Sequence, residues 1–130
     1  MKIIIMDNLN KEKIEQIIKD RKRANTFYMK KSIVFRSFVK MEEVAFTSGA
    51  LSKLQKELIA IGISVVINCE SCMEWHIKQA IDCGATEDEI IEAIEVGIEM
   101  AGGPATVSAR FAMNVLEFYR GTKDIKKTKP

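Results

Sequence analysis

No stretch of this chain is apolar for long enough to span a bilayer. A spanning helix needs about 18 uninterrupted apolar residues, and the most apolar segment, Leu58–Ile67, is interrupted at Gly62 and Ser64. Residues Met1–Met6 are too short for the apolar core of a secretion signal. Cysteines number three, an odd count that excludes a fully paired disulfide framework. The net charge is only +2, too small to indicate a nucleic-acid partner. Basic clusters at Lys19, Arg21, Lys22 and Arg23, and at Lys123, Lys126, Lys127 and Lys129, read as solvated faces and a frayed tail. No strand precedes Gly97, Gly102 or Gly103, so they form no phosphate cradle, and no nucleotide or flavin cofactor is expected. These absences predict a cytoplasmic protein with no membrane and no nucleic-acid partner.

Strict alternation of apolar and polar residues is rare, which leaves room for one short strand at Lys2–Ile5. Prolines are two, one of them the last residue. Helical signals dominate. Ile14, Ile17 and Ile18 form a stripe of period 3.6, and Ile33, Val34, Phe38, Met41 and Phe46 predict one or two helices up to Gly49. Ser52-x-x-Gln55 is a capping box that opens a helix through Ile67, expected to be buried on most sides. Asn68 is a stop. The next helix runs from near Cys69 to Cys83, with Gly84 in the capping position. Thr86-x-x-Glu89 opens a helix to about Met100, and Gly102-Gly103-Pro104 breaks the chain before a helix from Ala105 to Tyr119. The expected fold class is all-α, a single-domain bundle of six to seven helices over residues 1–120, with a disordered basic tail at 121–130.

The most informative segment is Cys69-Glu70-Ser71-Cys72-Met73-Glu74-Trp75-His76, which holds the only histidine. Cysteines three apart on a helix lie within the span that a disulfide tolerates. Cys72 and His76 are four apart and so share a face. An imidazole beside a thiol can take its proton, and the thiolate is the reactive form. Cys83 extends the row, but ligands strung roughly 20 Å along one helix cannot surround a metal ion. No metal is expected, and Cys83 reads as a packed thiol. Met73 and Trp75 read as core or subunit-interface residues. Glu57 shares a stripe with Leu54 and Ile61. Spacing alone favours an exposed carboxylate in an early helical turn, while the inward reading places it near His76. Measured along straight antiparallel helices from Cys69, His76 lies roughly 10 Å away and Glu57 roughly 18 Å. Two long side chains and a water are then needed to join them.

The resulting pattern, E-x11-C-x-x-C-x-x-x-H, resembles the carboxymuconolactone decarboxylase superfamily in its alkylhydroperoxidase D-like branch. Gly84-Ala85-Thr86-Glu87-Asp88-Glu89-Ile90 is similar to that family's helix-to-helix turn, and Gly102-Gly103-Pro104-Ala105 to its glycine-rich break. The resemblance covers about residues 51–109, the expected redox core. It implies a helical subunit assembled as a homo-oligomer, a trimer or hexamer. It implies a thiol-dependent peroxidase or disulfide reductase, in which Cys72 attacks, Cys69 resolves, and His76 and Glu57 relay the proton. Ser71 stands where the peroxidase often carries a second histidine.

The helix dipole favours Cys69 as the more acidic thiol, whereas the register with His76 favours Cys72. Cys72 is the expected attacker. The expected partners are a peroxide or disulfide substrate and an external dithiol reductant. Two other readings compete: a lyase of the decarboxylase type, which needs no cysteine pair, and a non-catalytic helical module whose cysteines sense oxidation.

Overall fold

A computed structural model describes residues 6–122. Six helices follow in order: α1 (Asn8–Lys31), α2 (Ile33–Ala45), α3 (Lys53–Val66), α4 (Glu70–Asp82), α5 (Glu87–Ala101) and α6 (Gly103–Gly121). Among the described residues there is no strand. The strand expected at Lys2–Ile5 lies outside the described residues, as does the tail beyond Thr122. Gly121, expected in that tail, closes α6, with Thr122 as its cap.

Local chemistry sets the boundaries. The Asp7 carboxylate accepts from the Asn10 backbone N–H at 2.8 Å and starts α1. Ser32, in extended conformation, ends α1 and caps α2 by accepting from the Phe35 N–H at 3.0 Å. The Ser52/Gln55 capping box is complete in both directions. Asn68 adopts a left-handed φ of 52° and turns the chain from α3 into α4. Gly84, at φ 91°, does the same after α4. Thr86 caps α5 by accepting from the Glu89 N–H. Where one or two helices are expected between Ile33 and Gly49 there is one, which stops at Ala45 with Phe46 as its cap.

The core lies between α3, α4, α5 and α6, with Ile14 of α1 reaching it. Ile61, Val65, Met73, Ile77, Ile90 and Val115 are fully buried or nearly so. Helices α3 and α5 cross closely at Gly62 and Gly97; a Cβ on Gly97 would sit 2.7 Å from the Gly62 carbonyl oxygen.

The expected burial of α3 fails. Helix α3 is not buried on most sides, because Ile59 and Ile63 are more than half exposed. They line an open apolar groove of about 650 Å³ between α3 and α5. Helix α2 packs mainly on α1 and has no fully buried residue.

Candidate functional site

The site is built on the α3–α4 hairpin. Cys69 is the residue that caps α4, and its sulfur accepts from the Cys72 backbone N–H at 3.2 Å. It therefore precedes the helix rather than lying within it. Cys69 and Cys72 form a disulfide, with Cα atoms 5.1 Å apart. One turn further along α4, His76 reaches α3. Its Nδ1 lies 2.7 Å from Glu57 Oε2. An ionised carboxylate only accepts, so in that pairing Nδ1–H is the donor and Nε2 is the ring nitrogen not engaged by Glu57.

Glu57 is not the exposed residue that spacing alone favours; it retains 2% of its surface. Nor does it need a water to reach His76. Straight helices would make every residue back from Cys69 add rise. In fact α3 ends at Val66 and α4 begins at Glu70, so the turn between them adds no height.

The four sequence-predicted residues thus gather at one place. Cys72, His76 and Glu57 line a cleft of about 740 Å³, and Cys69 is bonded to Cys72 but is not part of the lining. Ser71 is exposed at the same cleft. The aromatic side chains of Phe35, Phe38 and Phe46 from α2 and its cap, with Trp75 from α4, wall it. Cys83 caps the far end of α4 as a half-buried free thiol. Met73 is in the core, as expected, whereas Trp75 faces the cleft.

Behind the cleft lies a buried polar cluster. Glu74 has no exposed surface. Tyr119 of α6 donates its hydroxyl hydrogen to Glu74 Oε1. Arg21 Nη2 of α1 lies 2.5 Å from Glu74 Oε2. That contact is an ion pair with poor hydrogen-bond alignment, since Glu74 Oε2 and Arg21 Nη1 are both buried without a hydrogen-bond partner. The guanidinium also covers the Trp75 ring, 4.9 Å from its centroid. Burial first, and then the hydrogen bond to Glu74 and its charge, push the Tyr119 phenol well above the ordinary tyrosine range.

Arg21 is therefore not a member of a solvated basic face. Its neighbours Lys19, Lys22 and Arg23 are exposed, and they mask it in the sequence. Glu74 carried a usable signal, since it shares an i, i+3, i+7 stripe with Ile77 and Ile81. Phe46 carried none beyond its place at the end of an apolar stripe.

A family model described as the carboxymuconolactone decarboxylase family matches residues 34–114. The chain belongs to that family. The match begins inside α2, well before the segment over which the motifs show the likeness. Protein 4 of the cox locus of Paracoccus denitrificans is 42% identical over 81 residues, covering 62% of this chain and 73% of that protein. An alkyl hydroperoxide reductase of Anaeromyxobacter dehalogenans is 35% identical, covering 48% of this chain but only 39% of the relative. Among solved structures, a carboxymuconolactone decarboxylase family protein from Legionella pneumophila gives a TM-score of 0.72 at 29% identity, covering 85% of this chain and 96% of that one. A family member from Thermotoga maritima gives 0.77 at 23% identity, covering 83% and 92%, a likeness of fold alone.

Proposed function

We propose that this chain is a thiol-dependent peroxidase or disulfide reductase that cycles through the Cys69–Cys72 disulfide. The observation that carries the reading is the shared cleft, in which Cys72 lies one helical turn from an imidazole already held by a buried carboxylate. In the reduced state His76 Nε2 takes the Cys72 proton, and the thiolate attacks the terminal oxygen of a hydroperoxide. The S–O bond forms as the O–O bond breaks. The proton held by His76 goes to the departing alkoxide, which leaves as an alcohol. The Cys69 thiol then attacks the Cys72 sulfenic acid. The S–S bond forms, the S–O bond breaks, and the hydroxyl leaves as water with the Cys69 proton. A dithiol from outside the chain returns two electrons through a mixed disulfide.

Two further points support the reading. The apolar aromatic walls suit an organic substrate better than hydrogen peroxide. The Anaeromyxobacter relative is an alkyl hydroperoxide reductase. Ser71 stands where the peroxidase often carries a second histidine and is a poor proton carrier, a departure from that pattern that rests the proposed relay on His76 alone. Dependence on an external dithiol fits a reducing compartment, the cytoplasm.

We read the chain as one helical domain over residues 1–120 that assembles as a trimer or hexamer. The outward apolar face of α2, with Val34 80% exposed, and the α3/α5 groove both call for covering surfaces. Light scattering that returns the monomer mass at micromolar concentration would refute the assembly.

The decisive experiment compares turnover of an alkyl hydroperoxide and of small disulfides, with dithiol reductants, in the natural chain and a Cys69→Ser, Cys72→Ser double variant. The proposal requires activity that is lost in the double variant. Activity that survives without the thiols points instead to decarboxylase-type chemistry. In the reduced protein, His76→Ala should slow iodoacetamide alkylation of Cys72 at neutral pH. Glu57→Gln should do so more weakly.

A further inference from the structure

One hydrogen bond does not fix an imidazole. The Glu57 carboxylate holds Nδ1 of His76, but a ring attached through one bond can still rock about that anchor and change where Nε2 points. A second contact prevents this. The Phe46 ring lies against the His76 ring with centroids 5.2 Å apart and planes inclined by only 23°. Stacked rings resist tilting out of their face-to-face arrangement, because tilting drives a ring edge into the facing surface.

Phe46 is itself held. Its N–H donates to the Glu42 carbonyl at 3.0 Å and closes α2. The next two residues are stitched to α3. Thr47 O accepts from Lys56 Nζ at 2.6 Å, and Ser48 Oγ accepts from the Lys53 N–H at 2.9 Å. Helix α3 also carries Glu57. Both restraints on the imidazole, the carboxylate at its Nδ1 edge and the ring on its face, thus rest on one helix. Other charged groups line the cleft and are engaged elsewhere or lie on its wall. Arg21 of α1 pairs with Glu74, Lys53 of α3 reaches Gln79, Glu43 of α2 lies 3.7 Å from Lys40, and Glu42 lines the α2 side.

We infer that Phe46 is the positioning residue for His76: by stacking on the imidazole it aims Nε2 at the Cys72 thiol, a role that rests on the relay proposed above. The test uses the full chain in its reduced form, with Phe46→Tyr, Phe46→Leu, Phe46→Ala and His76→Ala. Two properties are read: the pH midpoint of Cys72 alkylation by iodoacetamide, and the two-bond proton–nitrogen spectrum of the histidine. The chain has one histidine, so the spectrum reports on it alone. Phe46→Tyr keeps a ring and should behave as the natural chain. Phe46→Leu keeps apolar bulk without a ring. It should raise the alkylation midpoint by about half a pH unit, about threefold in rate at neutral pH, and replace the single Nδ1–H tautomer by an average. If Phe46→Ala fails to fold, Phe46→Leu still decides. An unshifted midpoint and an unchanged tautomer in Phe46→Leu would mean that Phe46 only fills space, and would overturn the inference. The His76→Ala arm separates the two layers. An unchanged midpoint there sinks the relay itself, whereas a shifted midpoint there with natural behaviour in Phe46→Leu sinks the role of Phe46 alone.

Discussion

Replacing Glu74 by Gln keeps the side chain's size but not its chemistry. The carboxylate offers an oxygen to Tyr119 and an oxygen to Arg21, whereas an amide offers one oxygen and presents N–H donors on the other side, against another donor. Breaking one side of a buried ion pair costs about 3–5 kcal/mol. The Arg21 side chain keeps 18% exposure and can recover some hydration, which places Glu74→Gln near the lower figure, at about 3 kcal/mol. The reverse change, Arg21→Met, strands a carboxylate with no exposed surface, and its cost lies near about 5 kcal/mol. The double variant has neither stranded charge, and its cost should fall short of the sum by about 2–3 kcal/mol. Urea denaturation followed by circular dichroism, on the natural chain and the three variants, closes this cycle. Trp75, the only tryptophan, provides a second reading. Its emission should shift in Arg21→Met, where the covering guanidinium is lost, and much less in Glu74→Gln. Costs that add to within about 0.5 kcal/mol would refute the picture of one coupled buried cluster.

Two further outcomes concern stability. A side chain at position 97 collides with the Gly62 carbonyl, so Gly97→Ala should force α3 and α5 apart. It should cost about 1–3 kcal/mol despite alanine's better helix propensity, and an equal or higher melting temperature would contradict the close crossing. Tyr119 keeps its proton in the fold at pH values where the unfolded chain gives it up, so its contribution is intact below about pH 10 and declines above. Between pH 9 and 11 the natural chain should therefore lose about 1.4 kcal/mol more than Tyr119→Phe, as judged from urea midpoints, and parallel losses would remove Tyr119 from the account.

The parts legible in the sequence are those governed by neighbours along the chain. The Ser52/Gln55 box, the stop at Asn68, the cap at Gly84 and the register between Cys72 and His76 are all local, and each stands as expected. What depends on packing between helices was harder to see. The Glu57–His76 bond depends on how α3 and α4 lie against each other, which rise per residue does not report. Arg21 and Glu74 sit 53 positions apart, and nothing in a run of basic residues singles out the one that turns inward. The exposed flank of α3 misled for a related reason. Apolarity reports that a face seeks cover, not whether its own chain provides it.

Helix α2 supplies much of the cleft wall while contributing no fully buried residue to the core. Exposed positions of this kind usually tolerate substitution within about half a kcal/mol. The thiols, the histidine and the glutamate stand instead on α3, α4 and the turn between them, against the core. Heredity can therefore act on the two separately. Changes on the cleft-facing side of α2 before Phe46 can widen, narrow or recharge the cleft without removing a core residue and without altering the cysteine pair, His76 or Glu57. A scaffold divided in this way lets the shape of the cleft drift with α2 while the cysteine pair, His76 and Glu57 stay where they are.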